Sequence, residues 1–285
     1  MLNLLILDKI IKDALIEDIP NGDISTEAII PLESKSKVDL IAKEDGVLAG
    51  LEVFKRVFEL LSLNSEFSVK VDLYKKDGDK VYNKEKIGEL TGSTRIILSG
   101  ERVALNFLGR MSGISTYTDK VVSLIKDSKT KILDTRKTTP NLRILEKYSV
   151  KIGGGQNHRF NLSDGILLKD NHVAFAGGVK AAVTKARENS SFVRKVEVEV
   201  ETLDMVKEAL DARADIIMLD NMSLDNIKEA LSLIKDKALV ECSGNITLDN
   251  ISRYASLGID FISLGALTHS SPCLDISMKN LVPLS

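Results

Sequence analysis

Tryptophan is absent from this 285-residue chain, histidine occurs three times, and there are only two cysteines and five prolines. Each scarcity removes a class of protein. Two thiols, Cys242 and Cys273, make no disulfide framework and fit a reducing compartment, with a buried apolar thiol as the ordinary role. His158, His172 and His269 lack zinc-type spacing with each other or with the cysteines, which speaks against a structural zinc site. Aromatic residues, at 5%, are too few for a base-stacking platform. Charge of one sign is also missing. Lys and Arg number 39 against 41 Asp and Glu, so the basic excess of a nucleic-acid surface is absent. No apolar run reaches transmembrane length. The N-terminal MLNLLILDKIIKDALIEDI has no basic leader, and Asp8, Lys9 and Lys12 interrupt it at helical spacing. It reads as an amphipathic helix rather than a signal peptide, and the protein as cytoplasmic and without a membrane partner.

What is present is a chain with 44% hydrophobic residues, enough for one large domain or two ordinary ones. From Lys37 to Leu98 it runs in short segments that alternate apolar and polar residues: KVDLIAKE, GVLAG, FSVKVDLY and GELTGSTRIIL. Asp77-Gly78-Asp79 marks a turn among them, and the whole predicts an antiparallel sheet. A helix is expected from Glu101 to about Lys126. Strand-like apolar runs then alternate with helices: KILD before a helix from about Pro140, GILLKD before one from about Gly178, KVEVEV, DIIMLD and ALVEC before helices opening at Thr202, Ser223 and Thr247, and DFISLG to close. Six such units predict an α/β barrel, closed or incomplete, with an open doubly wound sheet as the competing architecture.

In a barrel the chemistry gathers where the strands end. Here those ends are polar: Asp134 with Thr135, Arg136 and Lys137; Lys169 and Asp170; Glu197, Glu199 and Glu201 on one strand face; Asp220 and Asn221; Ser243, Gly244 and Asn245; Gly265 and Ala266. The rim is sorted by charge. Residues 131–172 hold eight Lys/Arg against four Asp/Glu, and residues 195–221 hold three against eight. The first half suits a ligand with several carboxylates. In the second half, Glu199 and Asp220 lie on apolar strands, where a buried carboxylate demands a cation or a donor. Their hard oxygens suit Mg²⁺, held partly through substrate and water. The late glycine-bearing turns suit a phosphate, with the dipole of the helix opening at Thr247 behind one of them.

Longer motifs carry a resemblance. ERVALNFLGRMSGIST (101–116), DTRKTTPNLRILEKYSVKIGGGQNHR (134–159), LLKDNH (167–172), VEVEVE (196–201), MLDN (218–221), ECSGN (241–245) and SLGALTHS (263–270) resemble, in order, the quinolinate phosphoribosyltransferases, the carboxylating nicotinate-nucleotide pyrophosphorylases of NAD biosynthesis. The resemblance runs from about Asp18 to about Met278. It implies an α/β protein with an α+β N-terminal part: a sandwich-like antiparallel-sheet domain from residues 1–110 with the tail 272–285, and an open α/β barrel from 111–271. It implies a homodimer or higher homo-oligomer, with quinolinate and phosphoribosyl pyrophosphate as substrates and Mg²⁺ as cofactor.

Residue by residue, the resemblance implies that Thr135, Arg136, Lys137, His158, Arg159 and Lys169 bind the two quinolinate carboxylates. Arg102 completes the neighbouring subunit's site. Ser243, Gly244 and Asn245, with Leu264, Gly265 and Ala266, seat the 5′-phosphate. Glu199 and Asp220 serve the ribose and metal and, with Lys137 and Lys169, count as catalytic. His172 and His269 are expected to be structural or supporting. The three glycines of KIGGGQNHRF become a tight turn that aims His158 and Arg159 at a carboxylate. Three alternatives stand beside this reading: a barrel relative of different specificity (a nicotinate phosphoribosyltransferase or a molybdenum-transport-linked homologue), a phosphosugar aldolase using Lys169, and a non-catalytic anion-binding protein.

Overall fold

The computed structural model describes residues 2–63 and 65–284. Along the chain run α1 (Leu4–Asp18), α2 (Ile24–Ile29), β1 (Lys35–Ala42), β2 (Gly46–Val47), α3 (Leu51–Ser62), β3 (Val69–Leu73), β4 (Lys80–Val81), β5 (Lys86–Ser93) and α4 (Thr94–Ser123). Then come β6 (Lys131–Leu133), α5 (Arg143–Ile152), β7 (Ile166–Leu168), α6 (Asp170–Ala176), α7 (Val179–Glu188), β8 (Val196–Val200) and α8 (Leu203–Asp211). β9 (Ile216–Asp220), α9 (Leu224–Ile234), β10 (Leu239–Ser243), α10 (Ile251–Ala255), β11 (Phe261–Ser263), α11 (Ala266–His269) and β12 (Ile276–Leu284) complete it. Two compact units result. The first takes the chain up to Asp119, Thr138–Gly154 and everything from Leu267; the second takes Lys120–Lys137 and Gly155–Ala266. These divisions cut the chain elsewhere than at 110/111 and 271/272.

The first unit is built on an antiparallel sheet of order β12-β1-β5-β3. Val38, Leu40 and Ala42 alternate into the core along β1, as a half-buried strand requires. Leu7, Ile11 and Leu15 repeat every four residues on α1 and join the same core. The sequence reading missed α3 altogether. Its Leu51, Phe54 and Phe58 have helical spacing and are buried, and the Asp77 carboxylate accepts both the Gly50 and Leu51 N–H groups at 3.0 Å, which satisfies the helix start. The run GELTGSTRIIL, expected as strand to Leu98, stops at Ser93. The Ser93 hydroxyl accepts the Ile96 N–H, and the chain turns into α4 from Thr94.

α5 belongs to this unit because its inner face does. Leu145 sits in the same apolar core, and the buried Glu146 carboxylate accepts from the Arg110 guanidinium of α4 at 2.8 and 3.0 Å and from the Thr139 hydroxyl at 2.8 Å. Arg143, Lys147 and Lys151, counted above toward a basic rim, therefore lie on a helix of the first unit.

The second unit is a parallel sheet of order β6-β11-β10-β9-β8-β7, with β6 and β7 as its edges. A cavity of about 340 Å³ is lined by Leu133, Ile166, Glu197, Ile216, Glu241 and Phe261, one residue from each strand, so the sheet curls around it as an open barrel. Val196, Val198, Val200, Ile217, Leu219, Val240, Cys242 and Ile262 occupy the opposite face and are buried. The helices between strands are capped as their sequences dictate: the Thr202 side chain accepts from Met205 N–H and Ser223 from Asn226 N–H. The helix expected from about Gly178 is α7, with Gly178 at its N-cap, but an additional short helix, α6, follows β7 at once, so Lys169, just past the strand, opens a helix. The helix expected at Thr247 begins at Ile251 and is five residues long; the Asn250 side chain instead accepts the Thr247 N–H. Among the described residues, no helix is long and apolar enough to cross a membrane.

Candidate active site

The segment Gly155–Arg159 fills the open side of the barrel. It runs beside β6, with Gln156 N–H donating to the Ile132 carbonyl at 2.7 Å and Asp134 N–H to the Gln156 carbonyl at 3.1 Å. The buried Asp134 carboxylate accepts the His158 N–H at 2.8 Å, which fixes the next residues. Gly154 enters this segment at φ +90°, and a Cβ on Gly153 would lie 2.4 Å from the Ser115 carbonyl, so the glycine run is a close-packed turn.

Two arginines meet at this edge. Arg159 is half-buried and donates from Nη1 to the Gly165 carbonyl at 3.0 Å, just before β7. Burial, and then the charge of Arg136, hold its pKa below the usual guanidinium value. Like charges that close are tolerated where an anion is to be seated. Lys137 is exposed next to them, and its N–H donates to the Thr135 hydroxyl, which shapes the Thr135-Arg136-Lys137 turn. On the next strand, Lys169 Nζ contacts Glu199 Oε2 at 2.5 Å, and the His172 ring accepts the Lys169 N–H at 3.0 Å. His172 thus supports Lys169, as expected of a supporting residue.

The far half of the rim is a ladder of carboxylate and amides. Ser243 pairs with Asp220 in register. Asn221 donates to the Asp220 carboxylate at 2.7 Å and accepts from the Asn245 side chain at 2.9 Å, while Asn250 donates to the Asn245 carbonyl. Gly244 lies at φ +85°, and a Cβ there would fall 2.2 Å from the Asn221 side chain. Leu264 donates its N–H to the Leu133 carbonyl at 3.0 Å, and Gly265 and Ala266 follow, half-buried, into α11. The helix dipole assigned to this end has no support, since α10 starts late and is too short. Backbone amides and the two Asn side chains remain as donors. The sequence reading placed Asn221 at a strand end without giving it a role and overlooked Asn250; the φ of +52° at Asn221 belongs to the tertiary structure alone.

Glu199 and Asp220 are not the deeply buried carboxylates that the apolar strands suggested. Glu199 is paired to Lys169 and Asp220 to Asn221, both half-exposed. The buried pair lies one layer lower: Glu197 and Glu241, 4% and 1% exposed. His158 reaches them, with Nε2 at 3.0 Å from Glu197 and 3.5 Å from Glu241. Its Nδ1 accepts the Arg159 N–H at 2.7 Å. Both ring nitrogens are thus engaged by protein, Nε2 by the two buried carboxylates and Nδ1 by the Arg159 amide. The signal for Glu197 was legible in VEVEVE, which puts it on the face of Glu199; Glu241 sits two residues before Ser243, on the same face. Arg102 is exposed on α4 in the first unit, whereas all the other candidate residues belong to the second.

Fold and rim define an open α/β-barrel protein with basic and acidic side chains gathered where its strands end. Comparison with known proteins narrows the class. Residues 23–112 match the quinolinate phosphoribosyl transferase N-terminal domain and residues 114–279 its C-terminal domain. A probable nicotinate-nucleotide pyrophosphorylase [carboxylating] of Bacillus subtilis is 44% identical, over 97% of this chain and 94% of its own. The crystal structure of NadC from Streptococcus pyogenes superposes with a TM-score of 0.95 at 50% identity, covering 100% of this chain and 99% of the other. Human nicotinic acid phosphoribosyltransferase shares the fold, with a TM-score of 0.63 and 13% identity over 90% of this chain and 72% of its own. The chain belongs to the quinolinate phosphoribosyltransferase family.

Proposed function

We infer that this protein transfers the phosphoribosyl group of phosphoribosyl pyrophosphate to quinolinate and decarboxylates the product, giving nicotinate mononucleotide, pyrophosphate and CO₂, a step in NAD biosynthesis. The observation that carries the reading is the pair Arg136 and Arg159, close enough for one charge to weaken the other's proton affinity, in a rim that also holds Lys169. Two guanidiniums and an ammonium suit a ligand with two carboxylates better than the single carboxylate of nicotinate.

The pyridine nitrogen brings a lone pair and no proton. Its attack on ribose C1 expels pyrophosphate without a general base. Arg136 and Arg159 hold the carboxylates and align the ring. Alignment of this kind supplies roughly 7–11 kcal/mol in favourable cases. Asp220, its carboxylate held by Asn221, faces the positive charge that builds on the ribose. In the second step the C2–carboxylate bond breaks, CO₂ leaves, and the pyridinium nitrogen stabilises the electron pair left at C2 until it takes a proton. Lys169 and Lys137 are the candidate donors. His158 is not, because its Nε2 proton is committed to buried carboxylates.

Glu199 and Asp220 fit Mg²⁺ by their chemistry: two hard-oxygen donors at an accessible rim, too few for a protein cage and suited to an ion that takes its other ligands from pyrophosphate and water. Bound there, Mg²⁺ would offset the charge of the departing pyrophosphate. The assembly is a homodimer in the cytoplasm, in which Arg102 of one subunit completes the other's site. Incubation of the protein with quinolinate, phosphoribosyl pyrophosphate and Mg²⁺ should yield nicotinate mononucleotide and CO₂. Product from nicotinate but not from quinolinate would overturn the substrate assignment.

A further inference from the structure

Two carboxylates buried in the barrel interior need a reason. Glu197 Oε1 and Glu241 Oε1 have no hydrogen-bond partner among the described residues, and their second oxygens face a single imidazole. Such an arrangement costs stability compared with apolar filling, so a structural role alone explains it poorly.

A His/Glu/Glu set within 4.8 Å is also the donor set of a divalent metal. The Arg159 amide excludes that use. A neutral histidine bound to a metal through Nε2 carries its proton on Nδ1, and here Nδ1 accepts the Arg159 N–H at 2.7 Å. The same contact settles the ring's protonation. Burial disfavours a charged ring, but the hydrogen bonds to Glu197 and Glu241 outweigh it and push His158 up to about 10. The amide opposes this, since a proton on Nδ1 would face the Arg159 hydrogen across 2.7 Å. The contact decides: one proton, on Nε2, directed at Glu197.

We propose that Glu197 and Glu241 are positioning residues for the Arg159 guanidinium, acting through a single Nε2–H tautomer of His158. The path is short. The carboxylates at the base of the cavity hold the ring by Nε2–H. The ring holds the Arg159 amide by Nδ1. Asp134 holds the His158 amide, and Gly165 accepts from the guanidinium itself, so Arg159 is fixed at both ends. The Glu197 charge also reaches Arg159, opposing the effects of burial and of Arg136 on it. A second support of this kind is what a rigid ligand-binding group requires.

The proposal rests on Arg159 being a quinolinate-binding group, so Arg159→Ala is measured first. If it leaves the quinolinate KM unchanged, that reading fails and the proposal falls with it. With that effect established, Glu197→Leu should raise the quinolinate KM about tenfold, the scale of one lost charge-assisted hydrogen bond, with kcat and the phosphoribosyl pyrophosphate KM within about twofold of the parent. Glu197→Gln, whose amide oxygen still accepts Nε2–H, should return the quinolinate KM to within about threefold. Equal KM rises for both substrates, or no rescue by Gln, would mean general damage and overturn the proposal. A second measurement needs no variant to keep its activity. In the intact protein labelled with ¹⁵N-histidine, the His158 ring, assigned by its loss in His158→Asn, should show a protonated Nε2 and an unprotonated Nδ1. A doubly protonated ring, or a proton on Nδ1, refutes the mechanism.

Discussion

At the scale of the residue, Lys169 and Glu199 form the contact most open to competition by ligand. The pair is at the rim, with Lys169 47% exposed, so solvent weakens it and a substrate carboxylate can take the ammonium away. Arg159 differs: it is half-buried, sits beside another arginine, and donates to a carbonyl rather than to a carboxylate. The two variants should therefore behave differently. Arg159→Ala is expected to raise the quinolinate KM by about 10- to 100-fold, since charged hydrogen bonds are worth roughly 1.5–3 kcal/mol. Lys169→Ala should lower kcat as well, if the ammonium supplies the proton at C2. Steady-state kinetics with each substrate varied in turn separate the two cases, and an unchanged kcat for Lys169→Ala would remove the lysine from the chemistry.

At the scale of the element, turns and strand pairs carry separate functions. The Ser243-Gly244-Asn245 turn depends on a left-handed Gly244 that leaves room for Asn221. Gly244→Ala forces a methyl into that side chain and strains the backbone by about 1–3 kcal/mol, so the phosphoribosyl pyrophosphate KM should rise about tenfold or more while the quinolinate KM changes little. In the first unit, Glu89 joins Lys37 of β1 at 2.8 Å and Lys86 of its own strand at 2.9 Å. The Lys37 hydrogen bond, then those of Lys86 and Tyr74, lower its pKa to about 2. A carboxylate with a depressed folded-state pKa contributes its stability above the unfolded value and loses it as pH falls toward the folded one. Urea midpoints of the parent and of Glu89→Gln should therefore differ at pH 6 and converge by about pH 2. A gap that stays constant with pH would show that the ion pairs contribute nothing.

At the scale of the whole molecule, the question is where Arg102 acts. It is exposed on the first unit, and the rim is built by the second. If each site borrows Arg102 from a partner, Arg102→Ala and Arg159→Ala should each turn over little at quinolinate concentrations near the parental KM, well below their own raised values. Mixed and re-assembled in equal amounts, they should recover about one quarter of parental activity, because half the dimers are mixed and each of those carries one intact site. Recovery near zero would place both residues in the same subunit's site. The units themselves were only partly legible. Alternation in KVDLIAKE and FSVKVDLY marked the antiparallel sheet, because one face of each strand is buried and the other is wet. α3 was lost among these strand signals, since its start is satisfied by Asp77, 26 residues away from Leu51, and no local cap announces it. α5 was read as part of the barrel because it lies between two barrel strands, although its buried Glu146 and Leu145 belong to the core around α4.

The sequence by itself determined the periodicities, the polar ends of six apolar strands and the motifs of the family, because these depend on local chain geometry and residue type. Tertiary structure alone decided which carboxylates are buried. Alternation placed Glu197 and Glu199 on one face, but only the curl of the sheet sent Glu197 into the interior with Glu241 and left Glu199 at the rim with Lys169. It likewise decided the neighbours of His158, since the Arg159 amide and two carboxylates converge on its ring from three parts of the chain. Charge and spacing say what a residue is able to do. Which partner it meets depends on packing across dozens of residues, and no local pattern encodes that.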